Sequence, residues 1–451
     1  MIVYISLISA TGNASTAENK ITDIAMGNVH ALALRSDGTV WAWGLNTVGE
    51  CGIEVNSSTR FILTPVQIPG LDNVIDIAAG EGFSLALKSD GTVWAWGYNG
   101  YGVLGESHEI ADRGYPEPSM IPGLSDITAI DAGQSYAMAL KDDGTVWTWG
   151  SNAYGELGND RDDSTIDMND YRATAQIVTG VSDVKAIACG TVNGIAIEKD
   201  GTTWIWGHSG SLISGGGNSN STPGLVNTID DAVLAAAGDD HLVMLKSDGT
   251  VWVRGNNWKG KLGNGSKNYH SPSAIEIAYD PIRVPGLDNV IMIDAGIEHS
   301  VALLANGTVV AWGGNGMGQI GDGTTNDRNS PITVPVTNAV KISAAGLATM
   351  MLDADGNVWV VGDNVHNQTG NAGNSGHSYV TSPVKVAFNN ARSASDNTTS
   401  STATPDDSSN DTESTPLPSS QNSGGISPML LASAGIVVLI LAFLVYRAKK
   451  R

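Results

Sequence analysis

Short apolar runs separated by glycine-rich turns make up most of this chain. In one unit an apolar run ends at Ala79-Gly80, the alternating run SLALK follows, and Asp90-Gly91-Thr92 separates it from VWAWG. Alternation with a period of two is typical of strands, and an Asp-Gly pair between two such runs indicates a tight hairpin. With a closing segment such as VQIPG, the pattern predicts four antiparallel strands per unit.

The unit recurs seven times, as its Trp-Gly landmark and two degenerate copies of it show. Consecutive landmarks are 48 to 58 residues apart, and their first residues are Trp43, Trp96, Trp149, Trp206, Arg254, Trp312 and Val361. Paired tryptophans at positions i and i+2 lie on one face of a strand, so we interpret them as core between neighbouring units. Seven four-stranded units can bury both faces in a closed ring, which predicts an all-β, seven-bladed β-propeller over residues 21–390.

The repeat pattern AGxxHxxAL-x-DGTVWxWGxNxxGxLG resembles that of the regulator of chromosome condensation (RCC1) family. The resemblance implies an RCC1-type propeller. Its members include a guanine nucleotide exchange factor, a plant UV-B receptor, modules of ubiquitin ligases and a secreted inhibitor of β-lactamases, so fold alone does not select a function. The photoreceptor's repeated Gly-Trp-Arg-His-Thr signature is absent, and no short motif for nucleotide exchange can be mapped.

The two ends of the chain predict export and membrane anchoring. Residues 1–20 resemble a partial secretory signal that lacks a basic start, and the Ser/Thr/Pro/Asp-rich residues 391–425 predict a disordered stalk. Residues 426–446 predict a transmembrane helix, with eighteen uncharged positions over 429–446. The basic tail 447–451 should be cytoplasmic. The expected topology is a single-pass plasma-membrane protein with an extracellular propeller.

Composition narrows the classes of partner. The formal net charge of −22 makes nucleic acid a poor partner for the exterior. No glycine-rich phosphate loop opens a helix and no G-x-S-x-G elbow is present, so neither a cofactor nor a catalytic residue is predicted.

The loops of a four-stranded meander divide between two faces. The turns after strands two and four, Asp-Gly-Thr and PGL, share what we call the uniform face. The loops after strands one and three share the variable face, and recognition is expected there because it usually resides on loops held by a rigid scaffold. On this face we predict an acidic funnel of Glu81, Asp239, Asp240 and Glu298. It would take a cationic group or metal ion, unless it is an ordinary solvated rim.

A second candidate patch is aromatic. Trp258 precedes the long third loop of the fifth unit, and Tyr269, His270 and Tyr279 lie within or near that loop. Aromatic side chains of this kind are common anchors of protein interfaces. We therefore predict a partner contact there.

Other potential ligands receive structural interpretations. His30, His241 and His299 occupy one repeat slot on separate units, which favours a hydrogen-bonding role over a metal site. Cys51 and Cys189 are interpreted as buried free thiols, with an extracellular disulfide left open.

Together these patterns predict a non-enzymatic cell-surface interaction module. Its partner would be a protein or glycan at or outside the cell envelope. The alternative is a hydrolase or lyase that uses the acidic funnel and a divalent metal, and an exchange-factor-like regulator is the third possibility. The strand around residues 383–388 either completes its own blade or bridges to the first one.

Overall fold

The computed structural model describes residues 19–105, 114–159, 167–208, 220–226, 229–266 and 276–388. The predicted signal, stalk, membrane helix and tail lie outside these ranges, apart from residues 19 and 20. Within them the chain forms seven four-stranded antiparallel sheets, each built from consecutive strands. No helix in these ranges has the length and hydropathy needed to cross a membrane.

The first four blades occupy residues 21–225. Blade 1 comprises β1 (Ile21–Met26), β2 (His30–Arg35), β3 (Val40–Leu45) and β4 (Phe61–Gln67). Blade 2 comprises β5 (Val74–Ala79), β6 (Phe83–Lys88), β7 (Val93–Tyr98) and β8 (Gly114–Met120). Blade 3 comprises β9 (Ile127–Ala132), β10 (Tyr136–Lys141), β11 (Val146–Ser151) and β12 (Tyr171–Ile177). Blade 4 comprises β13 (Val184–Cys189), β14 (Asn193–Glu198), β15 (Thr203–Gly207) and β16 (Asn220–Leu225).

Three further blades and two short 3₁₀ turns follow. Blade 5 comprises β17 (Ala232–Ala237), β18 (His241–Lys246), β19 (Val251–Asn256) and β20 (Ile277–Arg283). Blade 6 comprises β21 (Val290–Ala295), β22 (His299–Leu304), β23 (Val309–Gly313) and β24 (Arg328–Thr333). Blade 7 comprises β25 (Ala339–Ala345), β26 (Ala348–Asp353), β27 (Val358–Asp363) and β28 (Tyr379–Lys385). The 3₁₀ turns are Trp258–Gly260 and Ala372–Asn374.

In blades 1 to 5 an Asp-Gly-Thr turn closes the central hairpin through its own side chains. Blade 6 has Asn306 in place of the aspartate, and in blade 7 the Asp353 carboxylate accepts from the Asn357 amide. In blade 1 the Asp37 carboxylate accepts hydrogen bonds from the Thr39 amide at 3.0 Å and the Thr39 hydroxyl at 2.6 Å. Gly38 has a φ of +79°, a conformation that glycine adopts without steric cost. The Thr39 hydroxyl oxygen in turn accepts from the Trp41 indole at 3.3 Å. The motif therefore links the turn to the tryptophan that follows.

The glycine of each Trp-Gly pair lies at a shift in strand register. Gly44 has a φ of +108°, and a Cβ there would lie 2.7 Å from both the Val29 carbonyl oxygen and the His30 Cα. Any side chain at this position would separate the third strand of the blade from the loop after the first.

The first strands of the seven blades are neighbours around a closed ring, with β1 beside both β5 and β25. We call the contact between two adjoining blades a seam. The prediction that tryptophan forms core at the seams is confirmed for the second tryptophan of each pair: Trp96, for example, is fully buried and its indole donates to the Glu50 carbonyl of blade 1 at 3.0 Å. Four other indoles make the same bond to the preceding blade, from Trp43, Trp149, Trp206 and Trp312.

The ring closes through side chains and not through an exchanged strand. The last strand, β28, pairs with β27 and so completes its own blade. Across the closing seam the Trp43 indole donates to the Gln368 carbonyl at 2.8 Å, and Phe388 makes an edge contact with Trp43 at 5.8 Å between ring centroids. Lys341 of β25 also forms an ion pair with Asp23 of β1.

Both cysteines carry free thiols, as the sequence predicted. Cys51 is buried and its Sγ lies 3.1 Å from the Leu45 carbonyl oxygen, while Cys189 is half-buried on β13. Burial raises the pKa of each thiol well above its usual value. Neither is therefore activated as a nucleophile.

Candidate functional site

The repeated histidines join blades by hydrogen bonds. His30 is fully buried with its Nε2 2.7 Å from the Ser84 hydroxyl of the next blade, and that hydroxyl donates to the Glu50 carbonyl at 2.9 Å. The ring must therefore donate through Nε2. The other pairs of this kind are His241 with Ser300 and His299 with Thr349.

Burial holds these rings neutral. It lowers the pKa of His30 to about 3 and that of His299 to about 4. The structural interpretation of these histidines is confirmed. No group of three or more His, Cys, Asp or Glu side chains in the described ranges is arranged to hold a metal ion.

Carboxylates that sequence reasoning missed line the central channel, a cavity of about 250 Å³. Asp131 accepts from the Ala132 amide of its own strand at 2.8 Å and from the Cys189 amide of the next blade at 2.7 Å. Asp294 bridges Ala295 and the Ala344 amide of blade 7 in the same way, both at 2.8 Å. These aspartates connect the inner strands and satisfy amides that have no ladder partner.

Burial dominates the titration of the channel carboxylates. It raises the pKa of Asp131 to about 6 and that of Asp294 to about 7. The pKa of Asp76 also rises to about 7, through burial first and then the nearby Asp23 charge, while Lys341 opposes the shift. The sequence signal for this group was an acidic residue at an alternating position within an otherwise small and apolar inner strand.

The structure places the four residues of the predicted acidic funnel in different surroundings. Asp240 forms an ion pair with Lys261. Glu298 pairs with Lys259 at 2.5 Å between Oε2 and Nζ.

Glu81 lies apart from these pairs, on blade 2, and its carboxylate accepts a hydrogen bond from the side-chain amide of Gln134 of blade 3. Asp239 is exposed, and its carboxylate makes no hydrogen bond or ion pair with any part of the chain that the structure describes. A divalent metal in this funnel would have to displace two lysines. The assignment of these residues to partner binding stays a prediction.

The predicted aromatic patch is only partly described. Trp258 is half-buried in the 3₁₀ turn that also carries Lys259, so it lies beside the paired side chains of the funnel. Tyr279 is 43% exposed on the outer strand β20. Tyr269 and His270 lie outside the described residues, and this patch also stays a prediction.

A different set of aromatic side chains lies on the variable face, along blades 2 to 4. The third loops of blades 1, 2, 3, 5 and 6 begin with the motif N-x-x-G, and its asparagine closes the turn: Asn99 accepts from the Leu104 amide at 2.9 Å, and Asn152 accepts from the Leu157 amide at 3.2 Å. The residue before the glycine is then held in a fixed place on the variable face. In blades 2 and 3 that residue is tyrosine, which the sequence reasoning overlooked because the position varies between blades.

Tyr101 and Tyr154 each pair with a second ring, and we call the four side chains together the aromatic arc (Tyr98, Tyr101, Tyr154 and His208). Tyr98 and Tyr101 make an edge contact at 6.2 Å, and Tyr154 meets His208 of blade 4 at 5.3 Å between centroids. All four side chains are half-buried. The pKa of Tyr154 is raised by burial first and then by the charges of Glu156 and Asp239. The free carboxylate of Asp239 therefore lies within electrostatic reach of the arc.

This architecture defines a closed propeller of seven repeats, and comparison with known proteins identifies the repeat. Two family models match the chain, and both are described as Regulator of chromosome condensation (RCC1) repeat. One matches residues 37–87, 90–140, 143–197 and 248–303, and the other matches 21–50, 74–103, 127–156 and 290–319. Together they match more than half of the chain, which belongs to the RCC1 repeat family.

Relatives differ in how much of their length resembles this chain. The mouse E3 ubiquitin-protein ligase HERC2 is 29% identical over 324 residues, which are 70% of this chain but 5% of that protein. The ultraviolet-B receptor UVR8 of Arabidopsis thaliana is 26% identical over 373 residues, covering 80% of this chain and 81% of the receptor.

Solved structures share the fold. Prp20p from Saccharomyces cerevisiae superimposes with a TM-score of 0.60 at 26% identity, over 72% of this chain and 80% of that one. Human WBSCR16 superimposes with a TM-score of 0.65 at 19% identity, over 78% and 94% of the two chains. RCC1-type propellers among these relatives bind proteins: yeast RCC1 (Prp20) is bound to Kap60 in one crystal structure.

Proposed function

We propose that this chain is a non-enzymatic recognition module that binds a protein partner through its variable face. The observation that carries the proposal is the aromatic arc beside the free Asp239 carboxylate on that face. Aromatic side chains supply large contact areas with few rotatable bonds, which is why they dominate interface energetics. The Prp20p propeller, whose crystal structure was described together with its binding to Gsp1p and histones, supports the class of function.

The two faces differ in the chemistry that they offer to a partner. On the uniform face the Asp90 carboxylate is occupied by the amide and hydroxyl of Thr92, and these hydrogen bonds lower the pKa of Asp90. The same turn recurs in other blades at Asp37, Asp143 and Asp248. A face that repeats one internally satisfied turn has little to distinguish one partner from another, whereas the variable face differs from blade to blade.

Photo-crosslinking with a matched control tests the choice of face. Val365 lies in the third loop of blade 7 on the variable face and is 55% exposed; Ile75 is 54% exposed near the opposite end of blade 2. A photoreactive phenylalanine at Val365 should capture a partner that the same group at Ile75 does not. Equal capture at the two positions, or capture at Ile75 alone, would contradict the proposal.

We also propose that the propeller is displayed outside the cell, which makes extracellular proteins the first partners to test and glycans the alternative. This part rests on the sequence of residues 391–451 alone. Protease treatment of intact cells that carry a tagged propeller should release a folded fragment close to residues 21–390. A fragment protected until the cells are lysed would reject surface display and direct the search to intracellular partners, including small GTPases.

A further inference from the structure

The variable face carries two kinds of side chain on neighbouring blades. Blades 2 to 4 contribute the aromatic arc, and the third loop of blade 5 contributes Lys259 and Lys261, which pair with Glu298 of blade 6 and Asp240 of blade 5. Asp239 of blade 5 follows the arc around the ring and has no pairing partner among the described residues. The charge of this unpaired carboxylate acts on Tyr154, the tyrosine of the arc in blade 3.

The rings are held in place by their surroundings. The Tyr98 ring covers Gly100, where a Cβ would lie 2.0 Å from the tyrosine oxygen. The Tyr154 ring contacts His208, whose Nδ1 is buried without a hydrogen-bond partner. Burial lowers the pKa of His208, so this ring favours the neutral form and does not add a competing positive charge.

The electrostatic environment of Asp239 is negative. Although the residue as a whole is exposed, partial burial of its carboxylate raises the pKa of Asp239 first, and the charges of Asp240 and Glu298 raise it further, against the opposing effect of Lys261. The chain as a whole carries a formal charge of −22. A positively charged group placed here would relieve the repulsion among these carboxylates and would meet the negative faces of the aromatic rings.

We infer that the aromatic arc and Asp239 bind a lysine or arginine side chain presented by a protein partner. The cation would contact the Tyr154 ring and pair with the Asp239 carboxylate, a combination of cation–π and ionic contacts. Arginine suits the site better than lysine, because a planar guanidinium stacks on aromatic faces and is more weakly hydrated. This inference rests on the proposed function and names the chemistry of the partner.

The test uses a fluorescent peptide of alternating glycine and arginine, with citrulline in place of arginine as its neutral control. Fluorescence anisotropy with the full chain at about 0.15 M salt limits long-range attraction. We expect Asp239→Asn to weaken binding of the arginine peptide about tenfold and Tyr154→Leu about fivefold. Tyr154→Phe keeps the ring and should stay within about twofold of the unmodified chain.

Asp90→Asn is the matched control, because it removes one negative charge from the uniform face at a position where blade 6 naturally has Asn306. It should leave arginine-peptide binding unchanged. Equal weakening by Asp90→Asn and Asp239→Asn would reduce the effect to overall charge and overturn the inference, as would equal affinity for the citrulline peptide. The melting temperature of each variant is measured as a control for the folding of the propeller.

The crosslinking experiment separates this inference from the proposed function. If Val365 still captures the partner selectively when Asp239→Asn and Tyr154→Leu have no effect on the peptide, recognition by the variable face stands and the cation site is rejected. If the unmodified chain shows no selectivity between Val365 and Ile75, the proposed function itself fails.

Discussion

The seam between blades 1 and 2 and the seam between blades 4 and 5 occupy equivalent places in the ring but differ in how well their polar groups are paired. At the first seam the His30 ring donates to Ser84, and both Ser84 and the Trp96 indole donate to the Glu50 carbonyl. The Nε2 of His30, the Ser84 hydroxyl and the Trp96 indole are therefore all paired, while the His30 Nδ1 and the Glu50 Oε1 are buried without a partner.

At the second seam Asn193, Leu242 and Arg254 occupy the corresponding repeat positions. The Asn193 side chain is fully buried, and neither its nitrogen nor its oxygen has a partner. Arg254 is 3% exposed, and its Nε and one terminal nitrogen are buried without partners. Burial lowers the pKa of this guanidinium, against the opposing charge of Asp280.

The difference shows that the two residues that face each other across a seam vary together from blade to blade. Histidine occurs where the next blade supplies a hydroxyl; where the next blade has Ala137 or Gly194, the partner is Phe83 or Tyr136. The Tyr136 hydroxyl instead donates across the seam to the Gly190 carbonyl at 3.3 Å. Two seams depart from this rule: the corresponding positions hold Ala348 and Ala31 between blades 7 and 1, and Asn193 and Leu242 between blades 4 and 5. The inner strand β13 of blade 4 also lacks the bridging aspartate found in blades 2, 3 and 6.

The largest expected effect is the loss of a seam tryptophan. Trp96→Ala removes a fully buried indole and its hydrogen bond, so we expect the free energy of unfolding to fall by about 3–5 kcal/mol. Denaturant midpoints measure the change. Trp258→Ala, which removes a half-buried tryptophan outside the repeat positions, is the control and should cost clearly less. Equal losses for the two variants would contradict the role given to the seams.

Replacing the buried arginine should have the opposite sign. Arg254→Met removes a desolvated charge whose buried nitrogens have no partner, so we expect a gain of about 1–3 kcal/mol. Arg283→Met, at an exposed arginine paired with Asp288, should change stability by less than about 0.5 kcal/mol. A loss of stability in Arg254→Met would show that the guanidinium is stabilised in the folded protein.

A double-mutant cycle measures the histidine–serine pair. His30→Phe keeps a ring of the kind that blade 2 has at Phe83 but loses the hydrogen bond to Ser84, so a loss of about 1 kcal/mol is expected. Adding Ser84→Ala recreates the natural Phe83–Ala137 combination, and the double variant should lose less than the sum of the single losses. Strict additivity would mean that the two residues do not act as a pair.

The smallest expected effect is a change in pH dependence. Because the pKa of Asp294 is raised to about 7, the folded ring holds an extra proton between the unfolded value near 3.8 and pH 7. Stability from this group therefore falls as the pH rises through that window. Asp294→Asn should make the unfolding midpoint decline less with rising pH.

Other titrating groups set the background for that measurement. Asp76 and Asp131, whose pKa values are raised to about 7 and about 6, give a slope of the same sign in both proteins. The buried His30 and His299 rings have lowered pKa values and give an opposite slope below about pH 6.5, the ordinary histidine value, in both proteins. Asp90→Asn is the control. It removes a carboxyl whose pKa is lowered, so it should change the pH dependence of stability only below about pH 4. An Asp294→Asn curve parallel to that of the unmodified chain would show that this carboxylate does not titrate in the window.

The fold was predictable from sequence because its signals are local and repeated seven times. Hairpin turns and alternating strands identified the blades, and paired tryptophans identified the seams. The state of the acidic residues was not predictable. Asp240 and Glu298 are neutralised by lysines from the third loop of blade 5, and no periodicity reveals which lysine reaches which carboxylate. The channel aspartates were missed because a carboxylate on a strand is usually solvated.

The ring closes through side chains, those of Trp43, Phe388, Asp23 and Lys341, so the first and last blades contact each other without a covalent link or a shared strand. Every sheet consists of consecutive strands, so the covalent chain crosses six seams and is absent from the seventh. The propeller is therefore open to circular permutation: linking its ends and cutting at any exposed turn between blades would keep all seven sheets whole. Duplication or loss of a repeat at either end would likewise change the ring by one entire blade.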